Sequence, residues 1–133
     1  MTTNSGRGPG SGDLSDTARA ADVLEVARRV LLDAGFLCEA AVVLARIGEA
    51  ACRAGDRAAA IQALRLAERE FAALGRDDWR AHCLVWAGLA AGRDNPADMR
   101  ALGAQAMCLS PDVVHAAARS LKAALITGRI PVA

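Results

Sequence analysis

The chain has 133 residues, room for one domain with a real core. Its 32 alanines against two Phe, two Trp and no Tyr supply helix formers at most positions and little for a pleated sheet, so the expected class is all-α. Sixteen basic and fifteen acidic residues leave a net charge of +1, which excludes the electrostatic footprint of a nucleic-acid or anionic-membrane binder.

Fifteen of the sixteen basic residues are Arg and only Lys122 is Lys; with the alanine excess this resembles the codon bias of a high-GC bacterium. The cysteines Cys38, Cys52, Cys83 and Cys108 form no C-x-x-C, and the sequence does not open on a basic then apolar leader. The expectation is a cytoplasmic protein with reduced thiols. No apolar run is long enough to span a bilayer, so no membrane partner is expected.

Residues 1–12 hold four glycines, a proline and several hydroxyl residues, with nothing apolar after Met1 to bury; they read as a disordered tail. Residues 13–128 read as one domain of six antiparallel helices, and 129–133 as a C-terminal tail. The first helix is expected to open at Ser15 or Asp16 and to stop at Asp33-Ala34-Gly35. The second spans Phe36 to Ala54, and Gly55 ends it. Asp56 caps the third, in which Ile61, Leu64, Ala67, Phe71 and Leu74 recur at spacings of 3 and 4 before Gly75. Asp77 or Asp78 caps the fourth, Trp79 to Ala91. Asn95-Pro96 and Ser110-Pro111 open the fifth and sixth, each a capping residue followed by proline at the first helical position. The connections are short, so consecutive helices must form hairpins.

Shifting the chain against itself by 37 residues places Ile47 on Leu84, Ala51 on Gly88, Gly55 on Gly92 and Leu64 on Ala101. Ala41 to Leu74 and Asp78 to Pro111 then read as two successive helix-turn-helix units. On these residues the chain resembles the tetratricopeptide repeat, whose 34-residue units carry small side chains where their two helices cross. It is most similar to the degenerate repeats of large actinobacterial transcriptional regulators. It departs from the consensus in lacking the large aromatic early in the first helix and the later Tyr. Lys122 falls where the earlier units have Gly48 and Val85, which makes the sixth helix an expected solvated cap.

The fourth helix is apolar on two sides. Ala81, Leu84, Val85 and Gly88 take the core face, while Trp79, His82, Trp86 and Leu89 form a second stripe at spacings of 3, 4 and 3. The resemblance implies that this stripe, with Val42, Ala45, Glu49 and Cys52 of the second helix, lines a concave face that holds a partner segment. The expected activity is therefore non-catalytic, regulatory or scaffolding: binding of a protein or peptide, or of a second copy of the chain, with Trp as the anchoring residue type. Burial of both indoles as core is the competing reading, and an all-α enzyme or ligand-binding bundle using His82, Cys83 or Glu49 is the alternative of another class. No cofactor is expected, and no P-loop, nucleophile elbow or H-E-x-x-H occurs. A zinc site from Cys52, His82 and Cys83 lacks the usual ligand spacing. Asp77, Asp78, Asp94, Asp98 and Asp112 cluster at helix starts, where capping explains them. Glu68 and Glu70, set among Arg65 and Arg69, read as a solvated face with intrahelical pairs.

Overall fold

The computed structural model describes residues 11–127, with side-chain surroundings described for 19–92 and 94–122. The expected tails therefore lie largely outside the described residues. Six helices follow in order: α1 (Ser11–Asp33), α2 (Leu37–Arg53), α3 (Arg57–Ala73), α4 (Asp77–Ala91), α5 (Pro96–Leu109) and α6 (Pro111–Thr127). Between α4 and α5 lies a 3-10 turn, Gly92–Asp94. No strand occurs among the described residues, and the fold is all-α.

Three of the corners are built alike. The amides of Gly35, Gly55 and Gly75 bond to the carbonyls of Leu32, Cys52 and Ala72, and those of Phe36, Asp56 and Arg76 reach back to Leu31, Ala51 and Phe71. This is the double bond of a Schellman ending, and it requires the positive φ that the three glycines adopt (84°, 82° and 72°). Each residue after the glycine also serves as N-cap of the next helix, so a helix ends and its successor begins within four residues.

The three glycines are evenly spaced, and the same interval separates Leu24, Leu44, Leu64 and Leu84, of which the last three are buried. The local period of the first four helices is thus one helix plus one corner. The 37-residue shift, by contrast, equates two unlike corners. Gly55 closes a Schellman turn, whereas the amide of Gly92 bonds to Gly88, as a continuing helix would, before the 3-10 turn.

Helix starts follow side-chain chemistry at α3 and α5, whereas α2 and α4 begin without a capping side chain and α1 begins early. Asp56 accepts from the Ala59 amide at 3.2 Å and Asn95 from the Asp98 amide at 3.2 Å, with Pro96 next in line. At α4 the N-cap is Arg76, without a capping side chain, and Asp77 and Asp78 lie inside the first turn. Arg76 forks onto Asp78 at 3.2 and 3.1 Å, and that hydrogen bond is the main reason the Asp78 carboxyl sits below its usual range. Acids in a first turn complement the helix dipole without capping it. Helix α1 begins at Ser11, ahead of the expected Ser15 or Asp16, and so takes Asp13 and Asp16 into its opening turns.

The helices form two layers. Successive helices pack on one another, α2 also touches α4, and α4 touches α6, while among the described residues α1, α3 and α5 make no such backbone approach to each other. The core lies between the layers around Leu44, Leu64, Phe71, Leu84 and Leu102, filled in by fully buried alanines. Helices α2 and α3 cross at Gly48, where a Cβ would lie 2.5 Å from Leu64 Cγ; no larger side chain fits without displacing that leucine. Gly88 is under no such constraint, since a Cβ there would meet nothing closer than 3.5 Å.

Charged residues tie the layers together. Arg28 of α1 forks onto Glu70 of α3 at 2.9 and 2.6 Å and donates to the Ala40 carbonyl of α2. Arg80 of α4 reaches Glu68 of α3 at 3.1 Å. Glu68 and Glu70 therefore pair between helices and are partly buried, where intrahelical pairs on a solvated face were expected. Spacing along one helix says which residues are neighbours on it, but not which face the next helix covers.

Candidate functional site

Helices α2 and α4 meet along a register-matched seam. The Arg46 guanidinium lies 5.4 Å from the Trp79 ring centroid, the Glu49 carboxylate accepts from His82 Nε2 across 2.7 Å, and the Arg53 guanidinium lies 5.9 Å from the Trp86 centroid. Each partner pair is separated by the same 33 positions in sequence. A constant offset over two turns means that the two helices run parallel, which is what alternate members of a hairpin stack must do.

Along α4 the rings form a continuous ladder. Trp79 stacks on Phe71 of α3 at 5.3 Å and 15°, His82 meets the Trp79 ring edge-on at 5.1 Å, and the Trp86 centroid lies 6.4 Å from His82. From α2 the positive side chains lie over the two indoles and the negative one faces the imidazole, a placement that matches cation to π-face and carboxylate to N–H. Glu49 is 1% exposed, yet Arg46 binds it at 3.0 and 3.2 Å and His82 at 2.7 Å. Its burial is compensated, and no buried side-chain N or O among the described residues lacks a partner.

Of the eight residues expected to line the partner face, Glu49, Trp79, His82 and Trp86 lie on the seam, and the eight sit at different depths. Ala45, Glu49 and Trp86 are inside, at 0%, 1% and 6% exposure. Val42, Cys52, Trp79, His82 and Leu89 are half-buried. Leu89 leaves the ladder and borders a small apolar cleft of about 200 Å³ with Val85, Met99, Val114 and Leu121, between α4, α5 and α6. Sequence reasoning missed Arg46, Arg53 and Phe71. Arg46 and Arg53 flank Glu49 at spacings of 3 and 4, the same spacing as Trp79, His82 and Trp86, and that shared spacing was the available signal.

Neither Cys52 nor Cys83 is activated. Burial, reinforced by Glu49 and Glu68, pushes Cys83 from 9.0 up to about 12, and burial also raises Cys52 despite the nearby Arg53 and Arg57. Cys52, His82 and Cys83 do not converge as a ligand set: no group of three His, Cys, Asp or Glu among the described residues is placed to hold a metal. His115 is exposed on α6, and so is Lys122. No described helix is long and apolar enough to cross a membrane.

The open part of this site is thus a shallow face on the α2–α4 layer. It presents Val42, Arg46, Arg53, Trp79 and His82 around a closed interior. A scan against protein-family models, a search of curated proteins and a search of solved structures each returned no match to the chain.

Proposed function

We propose that the chain is a non-catalytic helical-repeat module, similar in plan to the tetratricopeptide repeat, that binds a protein or peptide segment along the α2–α4 layer. The observation that carries this reading is the ladder itself: two half-buried rings, Trp79 and His82, packed edge to face and rimmed by Arg46 and Arg53. Aromatic and Arg side chains that lose little freedom on contact are the residue types that anchor interfaces. The buried members of the set, Trp86, Ala45 and Glu49, support the side chains in front of them from behind.

The same geometry weighs against an enzyme built on His82, Cys83 or Glu49. Both oxygens of Glu49 are engaged by Arg46, and one also by His82, and the Cys83 thiol is buried and far from thiolate character. A general base needs a free acceptor and a nucleophilic cysteine needs a lowered pKa. A regulatory or scaffolding role in a bacterial cytoplasm is the setting that best suits such a module.

Selection of a displayed peptide library on the immobilised chain tests the reading. Selected peptides are expected to quench or shift the Trp79 emission and to lose at least about tenfold in affinity when Arg46 and His82 are both replaced by Ala. Enriched peptides indifferent to that double substitution, or no enrichment at all, would overturn it.

A further inference from the structure

The outward side of α1 carries the three most exposed large hydrophobic residues among the described residues. Val23, Val26 and Val30 are 63%, 64% and 61% exposed, although their spacing of 3 and 4 is that of a buried helix seam. Leu24, Arg28 and Leu31, all half-buried, lie away from the valines, and among the described residues α2 is the one helix against which α1 packs backbone to backbone. Beside the valines run Ala20, Ala27 and Ala34, seven residues apart, which allow another helix to approach closely.

Glu25, also exposed, lies farther round α1 from the valines than the helix's other exposed charges; the four nearer the valines identify what fits there. Arg19, Asp22, Arg29 and Asp33 are all exposed, and none joins an ion pair among the described residues. Their signs are antisymmetric about Val26. Arg19 and Asp33 lie equally far on either side of it with opposite charge, and so, to within one residue, do Asp22 and Arg29. One residue is an axial step of about 1.5 Å, well within side-chain reach. A twofold axis through Val26 therefore sets Arg19 of one copy beside Asp33 of the other and Asp22 beside Arg29, each twice, with valine against valine between them. A parallel pair would instead bring every charge level with its own copy.

We propose that this face is an antiparallel, isologous dimer contact, α1 against α1 of a second copy of the chain. It uses none of the ladder residues and is independent of the peptide-binding reading.

The test is the mass of the full chain across the micromolar range by sedimentation equilibrium. A mass that rises toward twice the 13.7 kDa of one chain is expected. Val26→Glu sets two carboxylates together at the axis and is expected to yield monomer with unchanged helicity. Asp22→Arg is expected to weaken the dimer at least about tenfold by placing like charges together, and adding Arg29→Asp to restore it, because the reversed pair keeps the antisymmetry. A chain that is monomeric throughout, a dimer indifferent to Val26→Glu, or a double reversal that rescues nothing overturns the proposal.

Discussion

The α4 stripe and the α1 stripe are written in the same code and end in opposite places. Trp79, His82 and Trp86 recur at spacings of 3 and 4, and so do Val23, Val26 and Val30, yet Trp86 is 6% exposed while Val26 is 64% exposed. The difference lies across from each stripe. Opposite α4 runs α2, with Arg46, Glu49 and Arg53 in matching register; opposite the valines this chain places nothing of comparable fit among its described residues. Amphipathic spacing predicts that a stripe will be covered, but the covering partner decides whether it is core or interface.

Breaking the covered stripe should therefore cost most. Trp86→Ala removes a large buried ring and the surface beneath Arg53, and we expect a loss of about 3–5 kcal/mol in denaturant unfolding. A loss near that of an exposed site would show that the indole is not held in the core. Next comes His82→Ala, which leaves Glu49 buried with Arg46 as its remaining partner. A destabilisation of about 1–3 kcal/mol is expected from the lost hydrogen bond to a buried carboxylate; His82→Gln, which can still donate, should recover part of it.

A smaller effect reads the core behind the ladder through pH. Cys83 keeps its proton to about pH 12 in the folded chain, against 9.0 for the thiol in water. The unfolded state therefore loses its proton first, so this contribution to stability is intact below pH 9 and declines as the pH rises from 9 toward 12. The chain has no Tyr and one Lys to obscure that slope, and Cys52, also raised by burial, adds to it in the same direction. Unfolding free energies measured from pH 8 to 11 should fall, and Cys83→Ala should flatten the fall. The smallest effect belongs to the open stripe: Val26→Ala should change monomer stability by no more than about 0.5 kcal/mol, since the side chain has little to lose. A larger loss in a monomer would mean that the valine is already covered.

Much of the fold was legible because its signals are local. Gly35, Gly55 and Gly75 are needed wherever the chain must turn through positive φ, Asp56 and Asn95 supply an oxygen to a free amide, and Pro96 and Pro111 sit where no amide donor is required. These choices are made within four residues. The repeat period was less legible: the 37-residue shift rested on Gly55 and Gly92, whose corners differ, while the even spacing of Gly35, Gly55, Gly75 and of the four leucines was hidden by alanine matches that occur at any shift.

The site was legible in membership and not in depth. His82 could be named because it lies on the second apolar side of its helix, and Glu49 because the resemblance to the repeat implied it. That they bond to each other, with Arg46 completing the carboxylate's partners, depends on the axial offset of two helices separated by a third. Glu68 and Glu70 show the same limit, since their guanidinium partners come from α4 and α1.

The sequence by itself determined an all-helical chain, the places where each helix ends, and the stripes each helix offers, because propensity, corner geometry and side-chain spacing act over one or two turns. Tertiary structure alone decided which stripe became interior. Covering a stripe requires another helix to arrive in register, and the angle and axial offset at which α2 meets α4 are set by contacts between residues far apart in the chain, such as Gly48 against Leu64 and Phe71 against Trp79.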